Sequence, residues 1–249
     1  WQDQPREEIR SVEAFLTTMT TRMAINVAQS ARKRRERYLG PWLPEPVDTS
    51  TDPALGAERA EALETAVLLL LERLTPTERA AYVLHEAFGY PYDEIGRMLE
   101  RSAASSRQLV SRARKHLSGG IRARVDPAKQ RRLLEAFLAA ARAGDLHALE
   151  SLLAEDAISY SDGGGRVGAA KIPVVGRTRV ARFISAFADR FWAGVTVERM
   201  STNGHTAVGL FQQGRLEVIM TVSAGPNGID RVLWQMNPAK LSHLGPSGG

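Results

Sequence analysis

The residues Thr75-Pro76-Thr77-Glu78 form the strongest helix-start signal in the chain. The threonine can cap the helix, the proline stands where no backbone N–H is needed, and the glutamate can bond back to the cap. Short helical patterns follow, separated by a glycine and by a tight break. The sequence therefore predicts one helix that begins at this signal and covers 76–88. Two further helices are predicted over 92–99 and 103–117.

A short helix, a tight break and a basic third helix are typical of a helix-turn-helix, whose last helix enters the major groove of DNA. Residues 101–125 contain seven basic residues and no acidic one. Arginine reads guanine, glutamine reads adenine, and lysine or serine can reach phosphates. The alternative is an ordinary basic surface helix. The predicted inward residues are Leu109, Val110, Ala113 and Leu117, and the predicted DNA-facing residues are Arg107, Gln108, Ser111, Arg112 and Lys115.

The composition indicates a soluble protein without disulfides, thiolate metal sites or a membrane-spanning segment. The chain has 249 residues, of which 43% are apolar and 24% charged, as expected for soluble domains. It has no cysteine, which excludes disulfides and thiolate metal sites and is consistent with a reducing cytoplasm. The longest apolar run, 66–71, is too short to span a membrane. The chain starts at Trp1 with neither a methionine nor a signal peptide, so we expect it to lack its native N-terminus.

The part of the chain before the helix-turn-helix contains a helix and a proline-rich segment. Helical spacing of apolar residues predicts a helix over 11–38, which ends in the basic run Arg32, Lys33, Arg34 and Arg35. That run is either a DNA-backbone contact or a solvated helix end. The prolines of Trp42-Leu43-Pro44-Glu45-Pro46 exclude a helix and predict an extended linker, followed by a helix over 55–73.

After residue 126 the pattern changes from helical to mixed. The sequence predicts an α+β domain in which a curved sheet wraps on helices, with the later strands antiparallel and joined by short turns. The predicted helices cover 128–142, 145–153 and 177–191, and the predicted strands cover 157–161, 195–201, 206–212, 215–223 and 229–236.

Three motifs of the helix-turn-helix resemble region 4 of the extracytoplasmic-function (ECF) sigma factors of RNA polymerase. They are Leu74 to Arg79, Tyr92 to Gly96 and Ser111 to Lys115. The helix over 11–38 is similar to the last helix of region 2 in the same family. The resemblance implies that region 4 reads the −35 promoter element and that region 2 faces the −10 element. It divides the chain into the end of region 2 (1–39), a linker (40–54), region 4 (55–124) and a C-terminal domain (125–249).

Three further motifs resemble the SigJ-type subgroup, which carries a SnoaL-like C-terminal domain with the cone-shaped fold of nuclear transport factor 2. The resemblance implies that they form an interdomain regulatory contact in which the linker docks on the C-terminal domain. We expect Arg166 or Lys171 to pair there with Glu45. Two departures from the subgroup are Arg166 for lysine and Ala239 for aspartate. The motif residues are Trp42, Leu43, Pro44, Glu45 and Pro46; Asp162, Gly163, Gly164 and Gly165; and Asn237, Pro238, Lys240 and Leu241.

The resemblance implies a multidomain, non-enzymatic sigma factor that binds core RNA polymerase and promoter DNA without a cofactor or metal. Family members begin with region 2 helices that bind the polymerase clamp, and the chain starts after them, so we expect weak polymerase binding. One alternative is a DNA-binding regulator that senses an unidentified small ligand in the C-terminal pocket.

The other alternative is a pocket enzyme, in which Asp162 with a nearby histidine abstracts a proton. Against this, we expect both histidines at the surface and both tryptophans in the core. The candidate residues are His147, Tyr160, Asp162, Trp192, His205 and Trp234.

Overall fold

The computed structural model describes residues 11–35, 38–49, 68, 71–118 and 125–244, and no side chains over 31–35 or at Ser118. These residues form two compact units. The first contains 11–35 and 71–118, and the second contains 38–49 and 125–244. Among the described helices, none has the length and apolar character needed to span a bilayer.

The first unit is helical, as predicted. Its α2 begins with the predicted capping box: the Glu78 N–H donates to Thr75 Oγ1, and the Thr75 N–H donates to Glu78 Oε2. The predicted helix over 55–73 lies almost entirely outside the described residues. The helices of this unit are α1 (Val12–Arg35), α2 (Pro76–Glu86), α3 (Tyr92–Leu99) and α4 (Ala103–Ser118).

The tight break between α3 and α4 depends on Gly96. A Cβ atom there would lie 2.6 Å from the Arg101 carbonyl oxygen, so a larger residue would push the two helices apart. The turn is completed by Glu100, a non-glycine residue at φ 54°, and by a hydrogen bond from the Arg101 N–H to the Gly96 carbonyl oxygen. The two helices are therefore joined by a tight turn, as in a helix-turn-helix.

The core of this unit contains the apolar side chains that the sequence pattern placed inward. Val110 and Ala113 are fully buried, and Leu109 and Leu117 are also buried. They pack with Ala81, Leu84, Ile95, Met98 and Leu74 in two adjoining clusters. The apolar face expected on α1 is less buried than that of α4, since Met23 and Val27 are each 63% exposed.

The second unit has the predicted α+β architecture. Its helices are α5 (Pro127–Ala143), α6 (Leu146–Leu152), α7 (Arg177–Ala186), α8 (Ala188–Phe191) and α9 (Pro238–Leu241). Its strands are β1 (Leu153–Asp162), β2 (Val174–Val175), β3 (Val195–Thr202), β4 (His205–Gln212), β5 (Arg215–Gly225) and β6 (Gly228–Gln235). The single helix predicted over 177–191 is divided at Phe187, where the backbone leaves helical geometry.

One six-stranded sheet, in the order β2-β1-β6-β5-β4-β3, organises this unit. The strands β3 to β6 pair antiparallel, as predicted, and the sheet is mixed because β1 pairs in parallel with β6. Phe137, Val180 and Ile184 pack against residues of β4, β5 and β6 in the main core. The parallel pairing brings the ends of β1 and β6 side by side, with Asp162 opposite Gln235.

The capping box yields a prediction about the stability of the first unit. Burial of its side chain raises the pKa of Glu78, but the hydrogen bonds from Thr75 outweigh this effect and lower the pKa below its ordinary value. A lowered folded-state pKa contributes stability above the unfolded-state value, and the contribution disappears as pH falls through the folded-state pKa. The first unit should therefore lose stability as pH falls below about 4.3.

Thr75→Ala should cost about 1 kcal/mol at neutral pH, because it removes the cap. Glu78→Gln should weaken the acid-range loss, whereas the exposed Glu100→Gln should leave it intact. Native-state hydrogen exchange of the α2 and α4 amides measures both effects. An identical acid profile for wild type and Glu78→Gln would contradict the assignment.

Candidate functional sites

The first candidate site is the outer face of α4. The five residues expected to face DNA are all exposed, opposite the buried side of the helix. This placement agrees with the predicted faces of α4, while binding of DNA by the face stays a prediction. The five are Arg107, Gln108, Ser111, Arg112 and Lys115.

Neighbouring side chains orient two of the arginines without burying them. The Arg107 guanidinium lies 5.2 Å from the centroid of the Tyr92 ring, a cation–π distance. Arg112 Nε lies 3.5 Å from Glu78 Oε1, and its side chain is still 59% exposed. Exposed pairs of this kind contribute little to stability, so both guanidinium groups remain available to a ligand.

The predicted backbone-contacting run at the end of α1 falls outside the described side chains. The helix itself reaches Arg35, and Arg32, Lys33 and Arg34 lie in its last turn. The predicted helix extended to residue 38, but Tyr38 is not helical and belongs to the second unit.

The second candidate site is formed by the extended segment 38–49, which packs on the sheet of the second unit. Leu43 is 1% exposed, Pro44 and Pro46 are buried, and Trp42 is half-buried. The predicted contact between this segment and the C-terminal domain is therefore present. We call this part of the chain the strap.

The carboxylate of Asp162, at the end of β1, is the centre of the strap contact. Asp162 is fully buried. Its Oδ1 accepts hydrogen bonds from the Tyr38 hydroxyl and from the Gly164 N–H (3.1 Å). Its Oδ2 accepts from the Leu43 N–H and from Lys240 Nζ, each at 2.8 Å. Two of the four donors belong to the strap, so the full set of hydrogen bonds to the carboxylate forms only when the strap is in place.

Lys240, on α9, supplies the countercharge for Asp162. Its side chain is 8% exposed, and Nζ also donates to the Leu43 carbonyl oxygen. Nζ lies 4.2 Å from the centroid of the Trp42 ring. Glu45, Arg166 and Lys171 are exposed, so the expected pairing of Glu45 stays a prediction, and the cation that meets the strap is Lys240.

Two glycines of the predicted motif allow close approach at this site. A Cβ on Gly164 (φ +62°) would lie 2.6 Å from side-chain atoms of Asn237. A Cβ on Gly165 (φ +71°) would lie 3.0 Å from the Leu39 side chain. Both the positive φ and the space exclude larger residues there. The Asn237 side chain in turn caps α9 through the Ala239 N–H and donates to the Tyr38 hydroxyl.

Tyr38 and Gln235 belong to the strap contact but were not identified from the sequence. Burial, together with the hydrogen bond to the Asp162 carboxylate, raises the pKa of Tyr38 well above its ordinary value. Gln235 Nε2 donates to the Pro44 carbonyl oxygen (3.2 Å). No local pattern distinguishes either residue, since their partners are distant in sequence.

The far end of the strap is held at a second point, the turn between β3 and β4. The Val47 N–H donates to Asn203 Oδ1, and the Asn203 N–H donates to the Val47 carbonyl oxygen. The Thr49 N–H donates to the Ser201 carbonyl oxygen. Segment 47–49 thus extends the hydrogen bonding of the sheet at this turn.

The residues considered for catalysis do not assemble into a site. Asp162 is paired with Lys240, and His147 is exposed on α6, as predicted. His205 was expected in a surface turn but opens β4 and is partly buried. Trp192 and Trp234 line a cavity of about 590 Å³ between the helices and the sheet. Tyr160 is partly buried on β1.

Comparison with protein families assigns both units. Residues 64–117 match the model of sigma-70 region 4, and residues 134–233 match that of the SnoaL-like domain. The two matches coincide with the helix-turn-helix and with most of the mixed-sheet unit.

Comparison with individual proteins gives relatives along nearly the whole chain. The ECF RNA polymerase sigma factor SigJ of Mycobacterium tuberculosis (strain ATCC 25618 / H37Rv) is 39% identical over 199 residues, or 78% of this chain and 64% of SigJ. The probable ECF RNA polymerase sigma factor SigI of Mycobacterium tuberculosis (strain CDC 1551 / Oshkosh) is 31% identical over 246 residues, or 96% of this chain and 82% of SigI.

A crystal structure of Mycobacterium tuberculosis SigJ superposes with a TM-score of 0.74 at 30% identity. It covers 96% of this chain and 85% of that one.

The buried ion pair yields a prediction about the strap. Asp162→Asn should destabilise the strap contact by about 3–5 kcal/mol, because it leaves the Lys240 ammonium buried without its countercharge. Combining it with Lys240→Gln should cost less than the sum of the two single changes. Hydrogen exchange of the Leu43 amide measures the opening of the contact.

Arg215→Ala is the matched control, since it removes an exposed ion pair to Glu217 in the same unit and should change little. Additive effects of the Asp162 and Lys240 changes would contradict the coupling between them.

Proposed function

Because the chain belongs to the ECF sigma factors of RNA polymerase, we propose that it directs core RNA polymerase to specific promoters and that its SnoaL-like domain regulates this activity within the same chain. The observation that carries the regulatory part is the strap, which is held on the C-terminal domain through the buried Asp162–Lys240 pair. In the chain, the strap lies between α1 and the region 4 helices.

The proposal assigns the outer face of α4 to the −35 element. Arg107 and Arg112 provide most of the affinity, Gln108 and Ser111 adjust the choice of base, and Lys115 neutralises phosphate. Support comes from the exposure of all five side chains on the side of α4 opposite its buried face. An arginine that reads guanine needs a free guanidinium fork, which Arg107 and Arg112 retain.

The basic run Arg32 to Arg35 is assigned to the DNA backbone near the −10 element. Clustered cations neutralise phosphates without reading bases, so they add affinity that falls with salt. We propose residues 1–39 as the end of region 2, 40–54 as the linker, 55–124 as region 4 and 125–249 as the SnoaL-like domain.

The regulatory step is a change in the freedom of the strap. When the strap is docked, the length of free chain between α1 and region 4 is reduced, because residues 38–49 are fixed at both ends. Release lengthens the tether between the two DNA-reading parts and lowers the effective concentration of one relative to the other. An event in the C-terminal domain can then alter promoter recognition without touching DNA.

A second candidate function, a DNA-binding regulator that senses a small molecule, is favoured only by the cavity in the C-terminal unit. Dependence on polymerase separates the two: a repressor binds its operator alone, whereas a sigma factor acts with the core enzyme. A catalytic role for Asp162 has no comparable support, because its carboxylate is used by the strap contact.

The assignment of α4 yields a prediction about −35 recognition. Arg107→Ala and Arg112→Ala should each weaken binding to a −35 duplex by about 1–3 kcal/mol and relax preference at one base pair. Fluorescence anisotropy with duplexes varied at single positions measures both effects. Arg199→Ala, an arginine that is 73% exposed in the other unit, serves as the control. Unchanged affinity and preference in both α4 variants would show that α4 is not the recognition helix.

A different variant addresses regulation by the strap. Trp42→Ala should change promoter output while leaving −35 binding intact, because it removes the ring that packs against Lys240 and spares α4. The assay is run-off transcription with core polymerase. Ile172→Ala, an apolar residue that is 75% exposed in the same unit, is the control. Equal transcription by wild type and Trp42→Ala would remove the regulatory role of the strap.

A further inference from the structure

The cavity of the C-terminal unit is lined by aromatic side chains, which suit a ligand that contains rings. Its volume of about 590 Å³ lies in the range of small-molecule pockets. Trp234 and Phe211 are buried in its wall, and Phe183, Phe191 and Trp192 are half-buried there. Aromatic walls favour flat, apolar ligands.

The aromatic side chains are held rigidly, so the cavity is formed in advance of binding. The Phe191 ring packs edge-on against Trp192 (5.0 Å between centroids) and against Trp234 (5.6 Å). The Trp234 indole N–H donates to Ser159 Oγ at 3.1 Å. Because that donor is satisfied, the Trp234 ring presents an apolar surface, and little entropy is lost in ordering it around a ligand.

The lining also contains polar side chains. Ser161 is buried, at 5% exposed. Arg190 and Gln212 are exposed, and Glu217 is half-buried. This arrangement suits a ligand with an apolar ring body and one polar atom near its inner end.

The same loop forms a wall of the cavity and a support of the strap. Residues 167–170 line the cavity. On the strap side, a Cβ on Gly40 would lie 3.8 Å from Lys171 Cα and 3.9 Å from the Ala170 carbonyl oxygen. Gly163, which follows Asp162 directly, packs closely against the cavity-lining Ala169: a Cβ on Gly163 would lie 2.8 Å from Ala169 Cβ. Ser161 also directly precedes Asp162, the centre of the strap contact.

We propose that the cavity binds a small, largely apolar ring compound, and that an occupied cavity stabilises the loop over 163–171 and with it the docked strap. The binding claim is independent of the transcriptional function, whereas the regulatory meaning of the coupling rests on the proposed function. By thermodynamic linkage, docking of the strap must then raise the affinity of the cavity for its ligand by the same factor.

Titration of the protein with N-phenyl-1-naphthylamine, a neutral ring compound that fluoresces in apolar sites, tests the binding claim. We expect saturable binding at one site per chain. Trp192→Ala should weaken it at least about tenfold by removing one wall, and Trp192→Phe should restore most of it. Leu146→Ala, which removes an exposed apolar side chain outside the cavity, should change nothing. Circular dichroism establishes that each variant is folded.

Absence of saturable binding to the folded wild type overturns the binding claim. So does equal affinity in wild type and folded Trp192→Ala, because the probe then binds elsewhere.

Hydrogen exchange at the Leu43 amide, with and without the probe, tests the coupling. Saturating probe should slow this exchange severalfold, and Asp162→Asn should lower probe affinity. Binding that leaves the exchange of Leu43 unchanged overturns the coupling. Neither outcome bears on −35 affinity, so failure here is distinguishable from failure of the sigma-factor assignment.

Discussion

The docking of the strap on the second unit depends on the buried ion pair between Asp162 and Lys240. Moving two charges out of water costs several kcal/mol for each ion, and the Coulomb attraction offsets this only when the remaining hydrogen-bonding positions are filled. The strap fills them, because the Tyr38 hydroxyl and the Leu43 N–H donate to Asp162 and the Leu43 carbonyl oxygen accepts from Lys240. The pair therefore selects a particular docked segment rather than adding general stability.

This selectivity links the chemistry of the fused domain to the DNA-reading helices. A segment held only by apolar burial could slide by a residue at modest cost, whereas one that satisfies a buried carboxylate has a single register. The second attachment, at Val47 and Asn203, fixes its other end. The strap is thus either docked in one position or released, which is the kind of two-state element that intramolecular regulation requires.

Local patterns predicted much of the fold, and long-range contacts account for the rest. The capping box at Thr75, the bounds of α3 and the buried face of α4 follow from spacing within one or two turns. The parallel pairing of β1 with β6 does not, because it joins segments about seventy residues apart. At the strap site, motif resemblance identified Asp162 and Lys240. Tyr38 was missed, because its contact with Asp162 leaves no local signature.

The most direct measurement of this account is the distance distribution between spin labels on the strap and on the C-terminal domain. The chain has no cysteine, so labels at Glu45→Cys and Ser242→Cys, both exposed positions, attach specifically. Electron–electron double resonance should give one narrow distribution, and adding Asp162→Asn should broaden it while Arg215→Ala does not. A distribution that is already broad with Asp162 intact, or that Asp162→Asn leaves narrow, would contradict a strap held by the buried pair.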